Sequence, residues 1–320
     1  MLGVLVLLIC LLFSITLGAR AIPLQTILES FTTFDNSYDH LVVQTLRMPR
    51  SLMAVTVGAA LAVSGALMQG LTRNPLAETG ILGIEAGGAL AVVATLFLFG
   101  SSSLTVYAAV AFLGAAIAAV TVYGLGSLGR GGATPLNLTL AGAAMTAFIS
   151  SITTAILIVS QRTLEEIRFW LAGSLAGRDF DLFFQVLPFT VIGLLLAFVL
   201  GKQITTLSLG EDIAKGLGQR TVWIKGLTAL SVVLLAGSSV AIAGPIGFVG
   251  LVVPHTVRFF IKTDYRWILP YSAVLGATLL LVSDIASRVL LKPQELPVGV
   301  MTALVGAPAF VYLAKSKVKR

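Results

Sequence analysis

The chain has 320 residues, of which 57% are hydrophobic and 11% charged, with a net charge of +7 and a mean hydropathy of +0.99. That composition excludes a water-soluble globule. The single cysteine, Cys10, excludes a disulfide framework.

A bilayer core of roughly 30 Å takes about 20 apolar helical residues to cross. Ten runs meet or approach that length: Leu2 to Gly18, Leu52 to Leu71, Leu76 to Gly100, Leu104 to Leu128, Leu136 to Ser160, Leu182 to Leu200, Val222 to Val240, Ile246 to Ile261, Trp267 to Leu291 and Leu296 to Leu313. They are continuously apolar, whereas barrel strands alternate between lipid and lumen. The expected fold is all-α, a polytopic membrane protein with about ten transmembrane helices forming one domain over residues 1–320.

The first run also fits a cleaved signal peptide, because it ends in Gly18 and Ala19, but it lacks a basic leading region. Lys and Arg in short loops stay on the cytoplasmic side. With the N-terminus inside, the outer segments hold Arg20, Arg47, Arg50, Arg162, Arg168, Arg178, Arg288 and Lys292, and the other basic residues fall inside. Both termini are then cytoplasmic. The Lys315 to Arg320 run reads as an orientation anchor that also meets anionic lipid, and no nucleic acid is needed to explain the charge.

Arg47 and Arg50, in Arg47-Met48-Pro49-Arg50, sit at the outer mouth of the second span, where this rule disfavours them. Two readings are open: they snorkel to lipid headgroups, or they dock an acidic external protein. Between the second and third spans, Arg73-Asn74-Pro75 leaves almost no linker. Proline disfavours helix in the residue before it and suits the next first turn, so a tight cytoplasmic hairpin is expected. Glu78, Glu85 and Asp284 are the few acids near spans, and all are expected close to a membrane face.

The loop Leu207 to Arg220 carries Glu211 and Asp212 where a short helix would start, with Gly216 and Gly218 to end it. Ile213, Ala214 and Leu217 should form one apolar face of an exposed docking knob, against the alternative of an ordinary loop between spans. Farther on, Gly244, Pro245, Gly247 and Pro254 break an apolar stretch, which implies a packed interior or a pathway lining. His255 suits a proton relay, a metal ligand or a hydrogen-bonded structural histidine. Only His40 and Cys10 are available to join it, so no metal site is assembled. The chain has no Gly-x-x-x-x-Gly-Lys-Ser/Thr loop and cannot hydrolyse ATP itself.

Six segments in order resemble one family: Arg-Met-Pro-Arg at 47–50, Ser-Gly-Ala-Leu-Met-Gln at 64–69, Arg-Asn-Pro-Leu-Ala at 73–77, Gly-Glu-Asp-Ile-Ala-Lys-Gly-Leu-Gly at 210–218, Gly-Pro-Ile-Gly-Phe-Val-Gly-Leu-Val-Val-Pro-His at 244–255, and the stretch opening Glu-Leu-Pro-Val-Gly at 295–299. The chain resembles, over nearly its whole length, the FecCD/BtuC-like permeases, the membrane subunits of ABC importers for iron-siderophore complexes, haem and cobalamin. The resemblance implies a permease of the bacterial cytoplasmic membrane, without a cofactor of its own. Its partners would be ATP-binding cassette subunits that use ATP, an extracytoplasmic substrate-binding protein, and a second permease copy or paralogue.

By the same resemblance, Gly210, Glu211, Asp212, Ala214, Leu217 and Gly218 would contact the ATPase, and Arg47, Arg50 and Arg288 would meet glutamates of the binding protein. The fifth span would line the pathway. Its Thr139, Thr146, Ser150 and Thr153 share one helical face, which also suits hydrogen bonding between helices. The segment Leu164 to Asp181, with Trp170, Gly173 and Ser174, would form part of the outer gate, and Pro135, Leu136 and Asn137 align with an inner constriction. An ion-driven secondary transporter is the alternative from a different class, and the expected lack of midplane carboxylates argues against it.

Overall fold

The structure, a computed structural model, describes residues 2–18, 20–128, 134–291 and 294–318, with side chains as far as 311. Arg130 and Lys292 lie outside that description, as do the side chains of the basic run from Lys315. Every regular element among the described residues is helical: α1 (Leu2–Thr16), α2 (Leu24–Thr32), α3 (Tyr38–Val42), a π turn (Val43–Arg47), α4 (Met48–Thr72), a 3-10 turn (Thr79–Leu82), α5 (Ile84–Phe99), α6 (Leu104–Ser127), α7 (Pro135–Val159), α8 (Gln161–Leu171), α9 (Phe180–Ser208), α10 (Glu211–Gly216), α11 (Thr221–Ala243), α12 (Val249–Ile261), α13 (Tyr265–Val289) and α14 (Val298–Val318).

Six of these stretches are long and apolar enough to cross a bilayer, with Tyr38–Thr72 counted as one continuous helical run. Four shorter apolar helices, α1, α5, α12 and the Val298–Val311 part of α14, stand at the remaining places where the sequence predicts spans. Local chemistry sets several of the starts. The side chains of Ser103, Thr134, Ser160 and Asp179 accept the N–H groups of Val106, Asn137, Thr163 and Leu182, satisfying orphan donors at the starts of α6, α7, α8 and α9. Pro135 falls in the first turn of α7, where the missing N–H costs nothing. The π turn immediately before Met48 widens the backbone where Pro49 would otherwise crowd the preceding turn, so the helix runs through Arg47 instead of starting at Leu52.

The core is built around α4, which packs against α13, α11, α12 and α9. Lipid gives helices no hydrophobic reason to associate, so close backbone approach has to supply the contact. Gly58 lies against the backbone of Gly276 on α13, and Gly65 against Gly250 on α12, so closely that a Cβ at either position would overlap the neighbouring chain. At the other extreme, α7 buries only 11% of its most apolar window, against 83% for the run containing α4. Helix α7 is therefore peripheral, with a broad face uncovered by its own chain.

Two expected spans are truncated. The run from Leu76 becomes an irregular stretch, a 3-10 turn and the 16-residue α5, and the run from Ile246 becomes the 13-residue α12. The irregular stretches at their starts pack inside the bundle, with Ala77, Leu82, Ile246 and Val249 buried, which is where irregular backbone survives at membrane depth, while the far ends stay exposed at Leu98, Phe99, Phe259 and Phe260. The tight hairpin expected at Asn74-Pro75 is replaced by a re-entrant chain. Arg73 ends α4 in the left-handed region at φ 51°, and the Asn74 side chain accepts the Leu76 N–H in a local turn. Pro75 starts no helix.

Candidate functional site

Three sets of residues stand at three heights of the bundle. At one end, α9 and α11 are joined by α10, entered through Gly210 at φ 132° and left through Gly218 at φ 79°. Glu211 fixes this short helix to the body: its carboxylate accepts from Lys225 at 2.6 Å and from Thr221 at 3.3 Å, and Lys215 lies 3.1 Å away. The Lys225 hydrogen bond leads in holding the Glu211 carboxyl down to about 2. Gln219 returns the chain, donating its backbone N–H to Ala214 and its amide to the Gln203 carbonyl.

The expected apolar face is divided. Ala214 is fully buried and seats α10 on the bundle, so it is unavailable to a partner, while Ile213 and Leu217 are 53% and 69% exposed. Asp212 and Gly218 are also exposed. The knob is rigid because its acid and its return strand are tied down, and its exposed tip is Ile213 and Leu217. Arg73 reaches this corner, since a Cβ on Gly210 would lie 3.8 Å from its Nη1. That brings the 73–77 and 210–218 motifs together, a proximity that no local pattern encodes.

At the opposite end, the three arginines of interest turn inward. Arg47 is 7% exposed and its Nη1 donates to the carbonyls of Ile15 and Thr16 at 2.7 and 2.8 Å, with a further bond to the Arg20 carbonyl. Arg288 is 4% exposed and donates to the carbonyls of Ser14 and Leu17, both at 3.0 Å, and to the Ser14 hydroxyl at 2.8 Å. Together they satisfy the carbonyls at the C-terminal end of α1, where positive charge also suits the helix dipole. Arg50 bridges two acids, Asp284 at 2.9 Å and Glu295 at 2.7 Å. Arg288 lies 3.1 Å from the other oxygen of Asp284. Each guanidinium is thus already engaged within the chain. A cavity of about 330 Å³ opens above them, lined also by Arg20, Asp39 and Arg178.

At mid-depth the two truncated spans meet. The Glu78 carboxylate accepts the Phe248 N–H at 2.8 Å, and Phe248 begins α12 in the left-handed region at φ 70°. The Gly80 carbonyl in the adjoining 3-10 turn accepts from Thr146, halfway along α7. Glu78 and Glu85 are therefore half-buried near the middle of the bundle and not at a membrane face, contrary to the sequence expectation. Apolar count alone missed this, because it cannot tell a span from a segment that re-enters the bundle. Asp284 does lie close to an end, five residues before Val289 closes α13.

The hydroxyl stripe on α7 is the side that meets the chain's own 3-10 turn and α5. Thr153 is buried and donates to Ile149, Thr139 donates to Pro135, and Thr146 makes the interhelical bond, leaving Ser150 exposed. Pro135 and Asn137 form the capped first turn of α7, and Leu136 beside them is exposed. Trp170 is buried, and the turn after it is stapled: Ser174 donates to the Ala243 carbonyl, Gly299 donates to the Gly173 carbonyl, and Gly244 lies against the Trp170 carbonyl. Gly173, Gly244 and Pro245 thus form one joint between α8, α11 and α14. Gly247 lies close to the Glu78 carboxylate. Pro254 and His255 are buried within α12, with the imidazole edge-on to Phe259. Gln69 donates to the Gly250 and Leu251 carbonyls and accepts from Arg258, which explains why the 64–69 and 244–255 motifs occur together. Among the described residues no group of histidine, cysteine and acid side chains is placed to hold a metal ion.

Comparison with known proteins agrees with this geometry. The model of the FecCD transport family matches residues 6–316. A Bacillus subtilis (strain 168) permease assigned to a siderophore transport system, YfiZ, is 48% identical over 98% of this chain and 97% of its own. The iron(3+)-hydroxamate import system permease FhuB of the same organism is 47% identical over 94% of this chain and 79% of its own length. The ferric enterobactin permease FepD of Escherichia coli (strain K12) is 40% identical over 98% and 94%. A solved chain assigned to the metal-chelate type of ABC transporter, in an inward-facing conformation, superposes with a TM-score of 0.85 at 29% identity, covering 98% of this chain and 97% of that one.

Proposed function

This chain belongs to the FecCD transport family, and we propose that it carries an iron(III)-siderophore complex across the bacterial cytoplasmic membrane as the permease subunit of an ABC importer. Energy comes from separate ATP-binding cassette subunits seated on the α10 knob, which places that end, and both termini, in the cytoplasm. The observation that carries this reading is the knob itself: Ile213 and Leu217 exposed on a short helix whose base is clamped by Glu211, Lys225 and Gln219. A lever must present a contact surface and resist deformation at its root, and this one does both.

The uncovered face of α7 is where a second permease copy or paralogue leaves the path between the two subunits. Leu136 and Ser150 face that space, and the Trp170 to Ser174 joint lies at its outer end, so closure of the ATPases is transmitted as rocking of helix groups. The cavity above Arg47, Arg50 and Arg288 is the landing point for the extracytoplasmic binding protein. Siderophore is favoured over haem and cobalamin because the similar permeases belong to siderophore, iron(3+)-hydroxamate and ferric enterobactin systems, and the iron travels inside its chelator. Glu78 and Glu85 are the groups that an ion-coupled mechanism would use.

The test is reconstitution of this permease with its ATPase and binding protein in vesicles, with uptake of ferric hydroxamate, ferric citrate, haem and cobalamin compared with ionophore present and absent. ATP-dependent, ionophore-insensitive uptake of a ferric chelate is expected. Uptake only of haem or cobalamin would contradict the cargo, and abolition by ionophore would contradict the energy source.

A further inference from the structure

The corner where α9, α12 and α13 meet, at the α10 end of the bundle, carries more positive charge than its own acids balance. Gly201 of α9 packs on the start of α13, where an added Cβ would lie 3.3 Å from the Arg266 Cα, and Thr205 one turn later accepts the Tyr265 N–H at 2.9 Å. Lys202 directly follows Gly201, and Lys262 ends α12 four residues before Arg266; all three basic residues are exposed. Behind them Arg258 donates to neutral groups, the Gln69 side-chain carbonyl and, at 2.9 Å, the Tyr265 hydroxyl. Asp264 is the only acid in the segments 201–208 and 249–268, and it is spent on Arg266 at 2.8 Å. Lys202 and Lys262 make no ion pair among the described residues.

The same corner is apolar on its outside. Phe259 and Phe260 close α12 at 65% and 83% exposed, and Trp267 and Tyr271, one turn apart on α13, are also exposed with ring centroids 6.4 Å apart. Exposed Trp and Tyr at a helix end mark the headgroup level of a bilayer, which sets Lys262 and Arg266, in the turn between the two aromatic pairs, at the depth of the lipid phosphates. A soluble phosphate would be served by the cations alone and would leave the phenylalanines bare. An anion with acyl chains uses both halves of the surface.

We propose that this corner binds an anionic phospholipid, with Lys202 and Lys262 as the donors free to meet its phosphate, Arg266 held beside them by Asp264, and the acyl chains lying over Phe259 and Phe260. The site differs from the terminal Lys315 to Arg320 run in being tied to the core. Arg258 holds Gln69 on α4, and Gln69 in turn donates to the Gly250 and Leu251 carbonyls of α12. Lipid bound here therefore reinforces the packing of α12 and α13 on α4. That the lipid belongs to the inner leaflet follows from the importer reading; the binding itself requires only that the chain cross a bilayer, so the two can fail separately.

The experiment reads tryptophan quenching in the full-length permease in mixed micelles, with Trp223→Phe removing the other exposed tryptophan and buried Trp170 left as a constant background. The probes are brominated phosphatidylglycerol and brominated phosphatidylcholine. In that background, half-quenching is expected at a concentration of the anionic lipid lower by at least about fivefold. Adding Lys202→Gln and Lys262→Gln should bring the two lipids within about twofold of each other, with the melting temperature in lipid-free micelles unchanged because both positions are exposed. Lys315→Gln with Lys317→Gln removes the same charge and should leave the preference intact. Equal quenching by the two lipids at the outset, an unchanged preference without Lys202 and Lys262, or an equal loss in the Lys315 and Lys317 pair would overturn the inference. So would abolition of the preference by excess inorganic phosphate, which would assign the site to a free anion, or displacement of the lipid by the partner ATPase, which would assign it to a protein contact.

Discussion

The carboxylate of Glu78 accepts the backbone N–H of Phe248 at 2.8 Å across 170 residues of sequence, joining the only two re-entrant breaks seen among the described residues. The bond satisfies a donor at the start of α12 that its non-helical neighbours leave open. Glu78→Ala should therefore destabilise the protein by about 1–3 kcal/mol, the cost of a buried donor left unpaired. Glu78→Gln keeps an acceptor oxygen and should retain most of that stability. Thermal unfolding in detergent separates the two variants. An Ala variant as stable as wild type would show that the bond carries nothing.

Two arginines close the end of α1, and Arg288 also stands beside the buried Asp284. Removing Arg288 as Ala leaves both α1 carbonyls and an acid short of a partner, with an expected cost of about 3–5 kcal/mol. Limited proteolysis should then cut near Gly18 before the rest of the chain. Arg50→Ala combined with Asp284→Ala should cost less than the sum of the two single changes, because the second removes the charge that the first strands. Additive losses would contradict the pairing.

At the knob, exposure predicts opposite outcomes for adjacent positions. Ile213→Asp should leave stability within about 0.5 kcal/mol while abolishing ATPase association and uptake. Ala214→Leu should overfill the seat of α10 and cost about 1–3 kcal/mol. Pull-down of the ATPase and a melting curve on the same samples check both. A folded Ile213→Asp permease that still binds and drives the ATPase would remove the knob from the mechanism.

The Glu211 clamp has a predictable pH range. Its carboxyl is held down to about 2, so the folded state favours the ionised form relative to an unfolded chain. The resulting stabilisation is present in full above the usual glutamate range and is lost as pH falls through about 2. The carboxyl carbon resonance of Glu211 in the labelled protein should therefore stay at its ionised position at pH 4, and Lys225→Met should move its titration up toward the ordinary range. Titration of wild-type Glu211 near that ordinary range would contradict the clamp.

The ten apolar runs were readable in the sequence because a membrane helix must be long and apolar, and both properties are local. Their completeness was not: the apolar residues Ala77, Leu82, Ile246 and Val249 at the breaks are covered by protein, and composition cannot distinguish that cover from lipid. The same limit applied to the acids, where Glu78 and Glu85 near helix boundaries suggested a membrane face but a re-entrant chain carries them to mid-depth. The α10 knob was legible from Glu211, Asp212 and the closing glycines, since a six-residue helix is governed by its ends. Which of its apolar residues faces outward was not, because Ala214 is decided by α9 and α11. Arg47 was visible as an exception to the charge rule, whereas its partners at the end of α1, Ile15 and Thr16, lie 32 and 31 residues away in sequence.

The most direct measurement is uptake of a ferric siderophore by vesicles containing this permease, its ATPase and its binding protein, with ATP supplied and every ion gradient collapsed by ionophore. Accumulation is expected, and it should stop when ATP is withheld or Ile213→Asp replaces wild type. Accumulation by the purified permease alone, driven by a proton or sodium gradient, would contradict it.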